Sequence, residues 1–260
     1  MSRSFPIPSF DEHEARIIPV LMYHVPKRDL LEQQFQWIRD NGYTPVHLNE
    51  VSNYFVNPTS VPFPTKNIVL TFDDAYQDFL ISVCPLLTSE MFDFKATLCV
   101  PTGHIPSQES DQHPPPKWTE GKGPLMTWDE IRELKKLKTA NGEDLIEFVP
   151  HSITHRYYDE LEKLDNPEDE FRQETRGSKE RLSKELGIGI DSIIFYCLPG
   201  GIGEGKGIVE RVLDDENYVG ALRAQYKKGD KWNRYRIPRC EPHSKDDLVK
   251  LLSEGGFSCN

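Results

Sequence analysis

No stretch of this 260-residue chain approaches the roughly 18–20 consecutive apolar residues of a membrane-spanning helix, so no membrane span is expected. Cysteine is scarce. Cys84, Cys99, Cys197, Cys240 and Cys259 are scattered, odd in number and nowhere spaced C-x-x-C. That pattern argues against a disulfide framework or a cysteine zinc site and leaves buried, reduced thiols as the expectation. Positive charge is also in deficit: 31 Lys and Arg face 42 Asp and Glu, a net charge of -11. Such a balance argues against nucleic acid or an anionic membrane as partner. Residues 1–8 lack the apolar centre, roughly 7–15 residues long, of an export signal, so the chain as written reads as cytoplasmic. Nothing in the sequence addresses the oligomeric state.

With 37% hydrophobic and 28% charged residues, the chain can build a substantial core. Its length suits one α/β domain. Residues 1–16 are polar with Pro6 and Pro8 and read as an irregular leader, and residues 17–260 read as a single domain. Strand and helix signals alternate through that domain. Strands are expected at 17–23, 43–48, before Asp73, at 95–100, 145–149 and 192–198, and more weakly at 218–222 and 236–240. Helices are expected after Leu30, over 77–91, after Thr127, over 167–186, near 207–215 and over 245–253. Thr127 and Glu130 have the spacing of a capping box. Residues 101–126 are rich in Pro and Gly and aperiodic, as a binding loop or lid would be. About seven strands alternating with helices imply a mostly parallel sheet, closed as a barrel or open and doubly wound. In either arrangement, functional residues gather at the C-terminal ends of strands.

The apolar run Ile68-Val69-Leu70 leads through Thr71 and Phe72 into two adjacent carboxylates, Asp73 and Asp74. Two carboxylates at the end of a buried strand repel each other and lose solvation unless a cation holds them. A match lies downstream: His151 and His155 stand four residues apart after another expected strand, and can face one cation together. Two nitrogens and one carboxylate oxygen leave positions open on a Zn²⁺-like ion, as hydrolytic sites require. The second carboxylate is then free to act as general base. Taken alone, the histidine pair also suits a surface or core site, and the aspartate pair suits a cap or turn.

These residues resemble a known family. Thr71-Phe72-Asp73-Asp74 and His151-Ser152-Ile153-Thr154-His155 look like the first two motifs of the polysaccharide deacetylases, carbohydrate esterase family four. Leu21-Met22-Tyr23-His24 resembles the opening of members acting on poly-N-acetylglucosamine, and the segments at Lys95–Thr97, Leu125–Leu134 and Glu147-Phe148 are also similar. The resemblance spans residues 17–240 and implies a distorted (β/α) barrel with about seven parallel strands. It implies removal of N-acetyl groups from amino sugars of a poly- or oligosaccharide, with a divalent metal, Zn²⁺ first among them. By position, Asp73 is the general base that activates a metal-bound water, and Asp74, His151 and His155 are the metal ligands. Pro199-Gly200 aligns with the third motif, in which a backbone N–H, here that of Gly200, holds the oxyanion. Family habit adds an exported or cell-surface location as the alternative.

Three departures from the family pattern, at the aromatic, the arginine and the late catalytic histidine, leave alternatives open. The aromatic that usually follows Pro199 is Gly200, which keeps a backbone donor but no groove-lining ring. The arginine usual two residues before that proline is Cys197, so Arg239 either tethers Asp73 from another direction or forms a surface salt bridge. His243, the only histidine after His155, is either the general acid or a solvent-exposed neighbour of a helix cap. His24 either lines the site, against substrate or a metal ligand, or is structural. His104 and His113 are expected in solvent on the long loop. Trp118 and Trp128 could stack on sugar rings, although Trp128 opens a helix and suits the core better, and the glycine-rich stretch after Gly200 reads as a turn, not a phosphate cradle. Two competing functions remain: a metal-dependent amidohydrolase of a small non-sugar amide or cyclic imide, and a non-catalytic carbohydrate-binding relative.

Overall fold

The computed structural model describes residues 18–56, 66–108, 117–200, 207–224 and 233–253. The expected leader lies outside the described residues. Seven strands alternate with helices: β1 (Val20–Tyr23), α1 (Arg28–Asp40), β2 (Thr44–Pro45), α2 (Ser52–Val56), β3 (Asn67–Phe72), α3 (Cys84–Leu87), β4 (Ala96–Val100), α4 (Trp128–Leu134), β5 (Ile146–Pro150), α5 (Tyr158–Leu161), α6 (Pro167–Leu186), β6 (Phe195–Cys197), α7 (Ile208–Asp215), β7 (Gly220–Leu222) and α8 (Lys245–Ser253). Every ladder between these strands is parallel among the described residues. One sheet runs β1-β3-β4-β5 with β2 also on β3, and β6 pairs with β7 in a second. This is the α/β arrangement expected from the alternation.

The two sheets are linked at one side by an extended segment that is not a regular strand. Ile237 pairs with Leu222 and Cys240 with Leu21 as isolated parallel bridges. Pro238 between them has no N–H to give a ladder, which is why the strand expected over 236–240 is reduced to two bridges. On the other side β6 packs beside β5. No ladder joins β5 to β6 among the described residues, so closure of the barrel is not seen in the hydrogen bonding. Among the described residues no helix is long and apolar enough to cross a membrane.

The strands at the centre are buried on both faces, as parallel strands covered by helices must be. Ile68, Val69, Leu70 and Phe72 of β3 and Ala96, Leu98, Cys99 and Val100 of β4 are all buried. Helix α1 lays Leu31, Phe35 and Ile38 on this core, and α6 adds Phe171, Leu182 and Leu186. The capping box on α4 forms as its sequence predicts, with Glu130 N–H donating to Thr127 Oγ1 and Thr127 N–H to Glu130. The helix expected over 77–91 is shorter and irregular, a π turn over Phe79–Val83 followed by α3. Pro85 is the reason, since it cannot donate back to the preceding turn and the ladder widens ahead of it. Cys84, Cys99 and Cys197 are buried free thiols as expected, whereas Cys240 is disulfide-bonded, against the expectation of a reduced thiol.

Candidate active site

Asp73 and Asp74 follow directly on β3 and are delivered by its ladder. Asp73 N–H donates to Tyr23 O at 2.8 Å, and Thr71 Oγ1 donates to Leu21 O at 2.7 Å. The backbone then turns sharply, with φ of 71° at Asp74 and 56° at Ala75. Ser152 and His155, after β5, are also left-handed, at 65° and 56°. Such conformations cost non-glycine residues about 1–3 kcal/mol each and persist where surrounding contacts impose them.

Here the imposing contact is Glu174. Its carboxylate accepts from the N–H groups of Ile153 and Thr154 at 2.8 and 2.9 Å and from Thr154 Oγ1. Ser152 Oγ accepts from His155 N–H at 2.9 Å and closes the turn. The result swings His155 back beside His151.

Asp74 Oδ1 lies 3.5 Å from His151 Nε2 and 3.2 Å from His155 Nε2, and the two Nε2 atoms are 3.2 Å apart. Two lone-pair nitrogens and a carboxylate oxygen crowded this closely need a positive charge between them. Donors around a tetrahedral ion with bonds of 2.0–2.1 Å sit about 3.3 Å apart, so the set fits a small divalent cation. Asp74 Oδ1 is buried and, among the described residues, faces these two imidazole nitrogens, which also fits an oxygen that could serve a metal. His151 Nδ1 donates to Cys197 O at 2.9 Å, the outer contact that sets the tautomer of a metal-binding histidine. His155 Nδ1 is buried and has no hydrogen-bond partner among the described residues. Instead, Trp118 stacks on the His155 ring at 4.2 Å and 25°.

Asp73 is turned the other way. Arg239 grips it with Nη1 to Oδ1 at 2.6 Å and Nη2 to Oδ2 at 2.8 Å, and the same Nη1 donates to Thr71 Oγ1 at 3.1 Å. Both partners are buried, Asp73 at 3% and Arg239 at 1% exposure. Burial pushes the Asp73 carboxyl up, but the Arg239 guanidinium and the His151 imidazole hold it well below the usual carboxylate range. Cys197 Sγ lies 3.8 Å from Asp73 Oδ1. A second group, Asp73 with Cys99 and Cys197, also brings its donor atoms within 4.8 Å. Arg239 already engages both Asp73 oxygens there, so a cation would compete with the guanidinium.

A family model described as polysaccharide deacetylase matches residues 60–213, more than half of the chain and both motifs. The chain belongs to the polysaccharide deacetylase family. The poly-beta-1,6-N-acetyl-D-glucosamine N-deacetylase of Escherichia coli (strain K12) is 30% identical over 130 residues, which are 49% of this chain but only 17% of that protein's length. The fold resembles that of deacetylase PplD of Streptococcus pyogenes, solved in complex with acetate, with a TM-score of 0.67 at 23% identity over 90% of this chain and 96% of that one. It also resembles IcaB from Ammonifex degensii, with a TM-score of 0.68 at 18% identity over 93% and 98% of the two chains.

The other residues implied by the family resemblance have different surroundings. His24 directly follows β1, near enough to Asp73 and Asp74 to feel their charges. Its Nδ1 is 3.3 Å from Glu241 Oε1, and its side chain is 27% exposed. Burial lowers its pKa, but the hydrogen bond to Glu241 and the charges of Asp73 and Asp74 outweigh this and raise it. Pro199 is buried, and Gly200 beside it has a φ of 64°; among the described residues no hydrogen bond engages its N–H. His243 is exposed, and no contact joins it to the cluster among the described residues.

Glu174 escapes the sequence reading, and Trp118 and His104 stand in it without these contacts. Glu174 sits inside a helix that reads as charged surface, although Phe171, Thr175, Ser178 and Leu182 mark the face on which it falls. Trp118 and His104 come from the aperiodic loop, and His104 Nε2 donates to Thr154 O at 3.0 Å while its ring meets Trp118 edge-on. His104 is therefore part of the site's frame, not a solvated loop residue. Trp128 is core, at 1% exposure.

Proposed function

We propose that this chain removes N-acetyl groups from amino sugars of a poly- or oligosaccharide, using one divalent cation, Zn²⁺ first, held by Asp74, His151 and His155. The observation that carries this reading is the opposite surroundings of two adjacent carboxylates: Asp74 faces two imidazole nitrogens, and Asp73 faces a guanidinium. A cation so held supplies Lewis-acid polarisation of a carbonyl and lowers the pKa of water from about 15.7 to about 7.

The chain's own residues do the remainder. Asp73, ionised and fixed at both oxygens by Arg239, accepts the proton of the attacking water. The Gly200 N–H is the donor for the oxygen that becomes negative. The departing amine needs a proton, and His24 is better placed than His243 to give it: Glu241 holds it, and Asp73 and Asp74 favour its charged form.

The test is acetate release by the Zn²⁺-reconstituted chain from N-acetylglucosamine oligomers, beside small amides and a cyclic imide. Release from the oligomers with little turnover of the others supports the reading. Turnover of the small amides or the imide alone would overturn it.

A further inference from the structure

Tyr157 is an exposed aromatic braced from behind. It precedes α5, two residues after His155, and is 42% exposed. A Cβ on Gly200 would stand 2.7 Å from Tyr157 Cδ1 and 2.8 Å from Cγ and Cε1. Near-equal distances to three consecutive ring atoms place Gly200 over the face of the ring; an approach in the ring plane would leave the outer two atoms clearly further away. Position 200 thus requires glycine twice over, for its φ of 64° and for the ring that occupies the space of a side chain. The ring that the sequence at position 200 lacks is supplied from the loop after β5.

Tyr157 and Trp118 both contact the His155 ring, but differently. Trp118 lies flat on the imidazole, so one of its faces is already used, whereas Tyr157 meets it at 6.2 Å and 61°. With Gly200 behind it, the outer face of Tyr157 has no ring partner among the described residues.

We propose that Tyr157 is the sugar-binding platform of this site, with a pyranose lying on its outer face while the acetamido group reaches the cluster of Asp74, His151 and His155. This deepens the deacetylase reading and rests on it. The aliphatic C–H groups of a sugar carry slight positive charge and meet the negative face of an aromatic ring favourably. A tyrosine has only two side-chain torsions to freeze, and Gly200 has already fixed this one, so little ordering remains at binding.

The experiment uses the full chain loaded with Zn²⁺, as wild type, Tyr157→Phe and Tyr157→Ala. It reads KM and kcat for an N-acetylglucosamine tetramer, kcat/KM for an aryl acetate, and tetramer affinity by calorimetry in an Asp73→Asn background. In the alanine variant, tetramer KM and Kd should rise about tenfold while the preference for tetramer over aryl acetate falls by about the same factor, and the phenylalanine variant should stay within about twofold of wild type. An unchanged tetramer KM in Tyr157→Ala would overturn the platform alone, since the wild type still turns the tetramer over. Equal losses on tetramer and aryl acetate would also overturn it, as would a phenylalanine variant as weak as alanine. A wild type that neither binds nor deacetylates the tetramer would instead sink the deacetylase reading, and the platform with it.

Discussion

Removing Arg239 is the sharpest perturbation of the carboxylate pair. The guanidinium makes two hydrogen bonds to Asp73, at 2.6 and 2.8 Å, and a third to Thr71 Oγ1, in surroundings where both ionic partners are almost wholly buried. Removing one member of such a pair leaves the other charge buried and uncompensated, which costs about 3–5 kcal/mol. Arg239→Met should therefore lower the unfolding free energy by about that amount, and Arg239→Lys should recover only part, because an ammonium cannot span both oxygens. The loss should also depend on pH. In the wild type the Asp73 pKa is depressed, so its contribution is present above the unfolded value of about 3.9 and is lost as pH falls through the folded value. Without Arg239, burial dominates and raises the folded pKa, so the variant binds a proton on folding and loses stability as pH rises. The difference between wild type and variant should thus be smallest at the acid end, already be substantial near pH 4, and grow further towards pH 8. Urea unfolding across that range in the presence of chelator measures it. A difference below about 1 kcal/mol, or one that does not change with pH, would refute the reasoning.

Glu174→Gln keeps the shape of the side chain but removes the charge that gathers the N–H groups of Ile153 and Thr154. Its metal affinity is expected to fall about 10–100-fold with the circular dichroism unchanged, as a titration with Zn²⁺ would show. Gly103→Ala would drive a Cβ into the Ile153 backbone, and thermal unfolding should report a loss of about 1–3 kcal/mol. His24→Ala should lower kcat by about 10²–10⁴-fold if it donates the amine proton, and His243→Ala far less; steady-state acetate release separates them, and the reverse order would return the role to His243.

How much of this site was readable beforehand follows from where each residue's constraint lies. Asp73 and Asp74 end a run whose β-branched and apolar residues bury it on both faces, so the sequence predicts both the strand and an exceptional pair at its tip. His151 and His155 stand out by local spacing after another such run. Arg239 is visible only as a charge in an apolar setting, since its partner lies more than 160 residues away in sequence. Glu174 is hidden because a carboxylate in a highly charged helix reads as solvated. Trp118 and Tyr157 belong to loops, where no periodicity shows which way a ring points. The ring absent at Gly200 is matched by that of Tyr157, which fits there because Gly200 has no Cβ, a compensation that depends on proximity in space. The strand expected over 236–240 failed at Pro238, a warning that local rules do contain.

The division of labour between the adjacent carboxylates is tested most directly by one paired measurement: bound Zn²⁺ and acetate released from an N-acetylglucosamine oligomer, in Asp73→Asn and in Asp74→Asn. The account predicts that Asp73→Asn keeps about one ion per chain while acetate release drops about 10²–10⁴-fold, and that Asp74→Asn loses the ion itself. An Asp73→Asn protein that releases acetate at the wild-type rate, or an Asp74→Asn protein that still holds the ion as tightly, would contradict it.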